Sequence, residues 1–115
     1  MAATGQYKLL DERLEATRVL LGSMSSERFT VHLFYTQDHG PDRIEAFLQR
    51  AAKSVDISLV FVLASRGAGK TKYRVFYGSY PSRDEAAAAM ASLPAEFHKD
   101  FRLQLTTLEQ ARRAG

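Results

Sequence analysis

Along the chain, stretches that alternate apolar with polar residues are interleaved with stretches in which apolar residues return every three or four positions. Strand side chains alternate between two faces, whereas helix side chains share a face at i, i+3, i+4 and i+7, so the two periodicities predict different elements. Alternation rich in aromatic and β-branched residues predicts strands at Arg28 to Tyr35, Ile57 to Ala64, Lys70 to Tyr77 and Phe101 to Thr106. Helical spacing joins Ile44, Phe47, Leu48, Ala51 and Val55 in one segment, and Ala86, Ala89, Met90 and Leu93 in another. The punctuation agrees. Pro41 suits a first helical turn, Ser82 and Glu85 form a capping box, and Pro94 stops the second helix. Gln37 to Asp42 and Ser65 to Gly69 read as turns, the second a hairpin loop in which Gly67 and Gly69 supply positive φ angles. Pro94 to Asp100 reads as a loop. Upstream, Leu10, Leu14, Thr17, Leu21 and Met24 trace a narrower stripe, predicting an additional helix that ends near Gly22.

The predicted order is therefore βαββαβ behind an N-terminal helix, an α+β fold. Two one-sided helices suit one face of a four-stranded antiparallel sheet. Residues 1–27 are read as an N-terminal extension, 28–107 as the domain and 108–115 as a C-terminal tail. The second sheet face is left without a helix of its own. Alternation assigns it Thr30, His32 and Phe34 on the first strand, Lys72, Arg74 and Phe76 on the third, and Arg102 and Gln104 on the fourth, a candidate binding platform. Inward positions include Tyr73 and Tyr77 on the third strand, and Phe101, Leu103 and Leu105 on the fourth. The N-terminal helix could dock on the domain, cover the platform, or belong to a longer stalk.

Composition adds exclusions. A chain of 115 residues with 45% hydrophobic and 25% charged residues supports one core. No run approaches the ~18 apolar residues of a spanning helix, and the polar start MAATGQYK has no signal-peptide core. A net charge of +3 permits an anionic partner without requiring one. The absence of cysteine removes thiolate metal sites and cysteine nucleophiles. His32, His39 and His98 lack ligand spacing, so no metal or other cofactor is expected. The segment LVFVLASRGAGKT imitates a phosphate-binding loop, but Thr71 leads into a strand instead of a helix whose N-terminus would hold phosphate. No nucleotide is expected, and nothing points to catalysis.

The stretch Tyr73-Arg74-Val75-Phe76-Tyr77-Gly78-Ser79-Tyr80, followed by Ser82-Arg83-Asp84-Glu85-Ala86 and Leu93, resembles the SPOR domain of bacterial cell-envelope proteins. In that family the third strand typically reads Y-R-V-x-x-G-P-F and is followed by S-R-x-E-A and a leucine-terminated helix. The resemblance covers about residues 28 to 107. It implies a non-enzymatic module that binds peptidoglycan glycan strands lacking stem peptides on the open sheet face; a monomer is expected. It also implies a periplasmic setting, within a larger inner-membrane-anchored protein directed to the division septum. This chain departs from the family's V-Q-x-G-S-F first strand: His32 stands in the Gln position, bulky residues replace Gly-Ser, and Ser79 replaces Pro. Arg74 could meet the lactyl carboxylate of a muramic acid with two hydrogen bonds, Phe34 and Phe76 could face a pyranose ring, and His32, Gln104 and Thr30 could meet hydroxyls. Two other readings stay open: a protein-interaction domain acting through the N-terminal helix, and an RRM-like module stacking single-stranded nucleic acid on its sheet. Without the resemblance the chain reads as cytoplasmic, with no membrane insertion of its own.

Overall fold

The computed structural model describes residues 7–23, 27–36, 41–67 and 70–114. Met24, His39 and Gly69 lie outside the described residues. The elements follow the order α1 (Lys8–Ser23), β1 (Phe29–Thr36), α2 (Pro41–Ala51), a 3-10 turn (Ile57–Leu59), β2 (Val60–Gly67), β3 (Lys70–Tyr80), α3 (Arg83–Ala91), α4 (Ala95–Asp100), β4 (Gln104–Thr107) and α5 (Leu108–Ala114). The strands form one antiparallel sheet in the order β2-β3-β1-β4. This is the split βαβ arrangement, in which each helix returns the chain across one strand. Residues 108–114, read as a tail, are helical, and the PAEFHKD segment contains α4 instead of a loop. The second strand begins at Val60, because Asp56 first accepts hydrogen bonds from the Ser58 amide and hydroxyl and caps the 3-10 turn.

The main core lies between the sheet and the helices on one face. Val31 and Leu33 of β1, Val60 and Val62 of β2 and Val75 of β3 meet Ile44, Phe47 and Leu48 of α2, with Leu93 and Phe97 closing the other side. Tyr73 is buried here, and Tyr77, Phe101, Leu103 and Leu105 pack against it. Ser82 caps α3 where the sequence places it: the Glu85 amide donates to Ser82 Oγ, and the Glu85 carboxylate reaches back to accept from that hydroxyl.

The N-terminal helix is part of the fold. β2 is an edge strand, and unpaired edge groups invite pairing with another chain. α1 occupies that edge. Thr17 Oγ1 accepts from the Val62 amide at 2.8 Å, and Arg13 donates to the Ser58 and Val60 carbonyls at 3.2 and 3.3 Å. At the start of the helix, the buried Glu45 carboxylate of α2 accepts from the Leu10 amide at 2.8 Å. It thereby satisfies a first-turn donor and sets a negative charge at the positive end of the helix. Leu10 enters the main core, whereas Leu20 reaches over to the opposite sheet face.

Two irregularities reset the strand faces. Between Phe29 and Val31 the β3 side carries an extra residue, with Gly78 at φ 76°, the left-handed region that glycine enters freely. Thr30 is fully buried there, and its hydroxyl donates to the carbonyls of Gly78 at 2.7 Å and Tyr77 at 3.2 Å. Between His32 and Phe34 the extra residue is on β1: His32 pairs with Phe76, yet Phe34 pairs with Val75. One extra residue exchanges the two faces for everything beyond it. Phe34, expected on the platform, therefore points into the helix-side core and stacks on Phe101 at 4.7 Å, with Phe47 edge-on at 4.9 Å. Tyr35 takes its place on the open face and is 52% exposed.

Candidate functional site

The sheet face opposite α2 is only partly open. Phe61 and Leu63 of β2 and Phe76 of β3 are covered there by Leu20 and Leu21 of α1 and by Leu108 and Ala111 of α5, leaving a void of about 10 Å³. Phe76 is thus 4% exposed and forms a wall instead of an offered ring. The apolar half of the predicted platform is spent on a second, smaller core, in which Leu20 and Leu21 at the far end of α1 and Leu108 of α5 are covered.

α5 is held at its start by an N-cap and a neighbouring side-chain bond. The Gln110 amide donates to Thr107 Oγ1 at 3.1 Å, and Thr106 Oγ1 donates to Gln110 Oε1 at 2.9 Å. The T-x-x-Q spacing from Thr107 to Gln110 is a helix-start signal present in the sequence that could have announced this helix. Its placement adds Gln110 and Ala111 to the site.

What remains open is a groove of about 210 Å³ lined by His32, Arg74, Phe76, Gln104, Thr106, Gln110 and Ala111. Strand pairing builds it: Phe76, His32 and Gln104 lie side by side across β3, β1 and β4. The His32 ring stands edge-on to Phe76, with centroids 5.4 Å apart at 66°. Two residues further along β3, Arg74 pairs with Tyr35, and its guanidinium carbon lies 5.0 Å from the tyrosine ring centroid. A cation over an aromatic face is attracted by the ring's electron density and holds its plane there.

The groove contains two polar atoms without partners. His32 Nε2 and Arg74 Nε are buried and make no hydrogen bond. Leaving such an atom unpaired costs about 1–3 kcal/mol, so both favour an incoming oxygen. Burial lowers the His32 pKa below its ordinary value of 6.5, and the nearby Arg74 charge lowers it further. The imidazole is therefore neutral at neutral pH, and Arg74 is the cation of the groove.

Of the predicted platform residues, His32, Arg74 and Gln104 come together, with Phe76 as their wall. Lys72 lies half-buried opposite Ser65 and does not line this groove. Arg102 precedes β4 in an irregular segment and is exposed. Thr30 and Phe34 are in the interior for the reasons given above. Tyr35, Thr106 and Gln110 were not among the predicted residues. The two rings that base stacking would use, Phe34 and Phe76, are not displayed side by side on an open face. No metal-holding group of His, Asp or Glu occurs among the described residues, and none of their helices is long and apolar enough to cross a membrane.

Compared with known families, residues 39–104 match the model of the SPOR domain, more than half of the chain. No curated protein and no solved structure matches the chain.

Proposed function

The chain belongs to the SPOR family of peptidoglycan-binding domains, and from that premise we propose that the His32–Arg74–Gln104 groove binds glycan strands lacking stem peptides. The domain would thereby direct a larger periplasmic envelope protein to the division septum. The family is one of binding modules found in envelope and division proteins, not of catalysts. The observation that carries the reading is the pair of unpartnered groups, Arg74 Nε and His32 Nε2, in one groove on the sheet.

Removing a stem peptide leaves the lactyl carboxylate of muramic acid as a free anion. The Arg74 guanidinium meets a carboxylate in a fork of parallel hydrogen bonds, the geometry that guanidinium fits best. His32, Gln104 and Gln110 offer both donors and acceptors to sugar hydroxyls. At about 210 Å³ the groove seats a single ring, below the ~300 Å³ lower end of drug-sized pockets. Neighbouring sugars then run over the exposed rim near Tyr35. Ser79, where the family has Pro, serves the fold: Arg28 donates to its hydroxyl at 2.7 Å and its carbonyl at 2.8 Å.

Co-sedimentation with purified sacculi, before and after amidase treatment, tests this. Pelleting rises with amidase treatment, and Arg74→Ala weakens it by about ten- to hundredfold, the loss of a charge-assisted pair worth ~1.5–3 kcal/mol. Absence of pelleting at low salt by the folded domain refutes it.

A further inference from the structure

A second, larger groove lies on the other side of β1, and we propose that it binds an acidic protein segment in extended conformation. Its volume is about 760 Å³. Phe34, Phe47 and Phe101 form its floor, and Arg43, Arg50 and Lys53 line its rim, together with Tyr35, Thr36 and Gln49.

Three observations define the occupant. The first is charge. Arg43, Phe47 and Arg50 fall at i, i+4 and i+7 on α2, and Lys53 follows just beyond, so one face of the helix presents cations around aromatic ground. No acidic side chain is among the described lining residues, and none of the three cations makes an ion pair with a described residue. A strip of uncompensated positive charge beside apolar surface fits a chain that alternates carboxylates with apolar side chains.

The second is backbone. β4 pairs with β1 only from Phe29 to His32. Among the described residues no strand accompanies Leu33–Thr36 on that side, although β1 continues to Thr36 and pairs with β3 throughout. An unaccompanied strand edge is the template for adding an extended segment, whose main chain supplies affinity while alternate side chains fill pockets. A nucleic acid has phosphates for the cations but no peptide groups to match this edge. The third is an orphan. Thr36 is 6% exposed, lines the groove, and its hydroxyl has no hydrogen-bond partner. A buried hydroxyl of that kind awaits an external acceptor or donor.

The two grooves meet at Tyr35, but Arg74, His32 and Gln104 do not line this one, so the proposal does not rest on glycan binding. The probe is a capped, fluorescein-labelled peptide alternating Val with Glu, titrated into the full chain at low salt and followed by anisotropy, with an alternating Val and Lys peptide as control. The acidic peptide binds, and the double variant Arg50→Glu, Lys53→Glu weakens it by at least about tenfold. Both positions are exposed, so the fold is retained. Amide chemical shifts move at Leu33 to Thr36. The proposal is overturned if the acidic peptide fails to bind. It is equally overturned if the lysine peptide binds as well, if charge reversal has no effect, or if an oligothymidylate displaces the peptide and binds more tightly at the same residues.

Discussion

Replacing Thr17 by valine tests whether α1 closes the sheet edge in solution. The two side chains have nearly the same shape and helix propensity, so the substitution removes the hydroxyl and little else. That hydroxyl makes two bonds, donating to the Arg13 carbonyl at 2.6 Å and accepting from the Val62 amide at 2.8 Å. The first loss is small, because the Arg13 carbonyl sits inside a helix, where the backbone amide four residues on is available to it. The second strands an edge amide beneath a helix. A buried donor without a partner costs about 1–3 kcal/mol, and the extra buried methyl returns up to about 0.8 kcal/mol. The net expectation is a loss of about 1–2 kcal/mol, or about 4–8 °C in Tm for a domain of this size. Urea and thermal unfolding followed by circular dichroism measure it. Stability alone is ambiguous, since Thr17→Ser also loses a buried methyl group. Amide hydrogen exchange separates the two: the Val62 amide stays protected in the serine variant and exchanges by local opening in the valine variant. If Val62 in the wild type already exchanges as a free edge amide, or if Thr17→Val unfolds like the wild type, the docked helix is wrong.

Two further outcomes follow from the strand irregularities and the groove. Gly78→Ala destabilises the domain by at least about 1–2 kcal/mol by chemical denaturation, because a left-handed φ costs an alanine that much and its Cβ would collide with the hydroxyl end of the Tyr80 side chain, which must move aside; unaltered stability would place Gly78 in another conformation. His32 has a folded-state pKa below 6.5, so the unfolded chain takes up its proton first as pH falls. Its contribution to stability is therefore complete above pH 6.5 and declines from there until pH passes the folded value. His32→Gln removes that slope on the acid side of about pH 7, as read from urea midpoints, and an unchanged slope would place the titration elsewhere.

The helices and strands that obey one period were readable from the chain. The α2 stripe through Ile44, Phe47 and Leu48 and the Ser82 cap both appear where the pattern places them. What escaped notice was short or depended on a tertiary partner. α5 has seven residues, too few to show a periodic stripe. Its one legible signal was the Thr107 to Gln110 spacing, and what holds it down is the apolar patch formed by Phe61, Leu63 and Phe76. The docking of α1 was one of three open readings, and the sequence did not decide among them. Thr17 read as a polar member of an apolar stripe, and its reason for being there is the Val62 amide, which sequence alone cannot bring near.

The bulge in β1 explains why the first strand was the hardest part of the site to read. In Val31-His32-Leu33-Phe34-Tyr35 apolar residues occupy both parities, so alternation does not fix which face Phe34 takes. Packing decides it. Phe34 on the open face would compete with Arg74 for space and leave Phe47 and Phe101 without the ring that lies between them. Turned inward, it completes an aromatic cluster in which Phe47 and Phe101 are also in contact, 5.6 Å apart. Aromatic pairs of this kind contribute about 0.5–1.5 kcal/mol each beyond their burial, enough to offset the disturbed ladder at one extra residue. The same turn brings Tyr35 beneath the Arg74 guanidinium and sets Phe34 in the floor of the groove beside α2. A single inserted residue thus supplies a part to each of the two grooves, and deleting Leu33 should dismantle both at once.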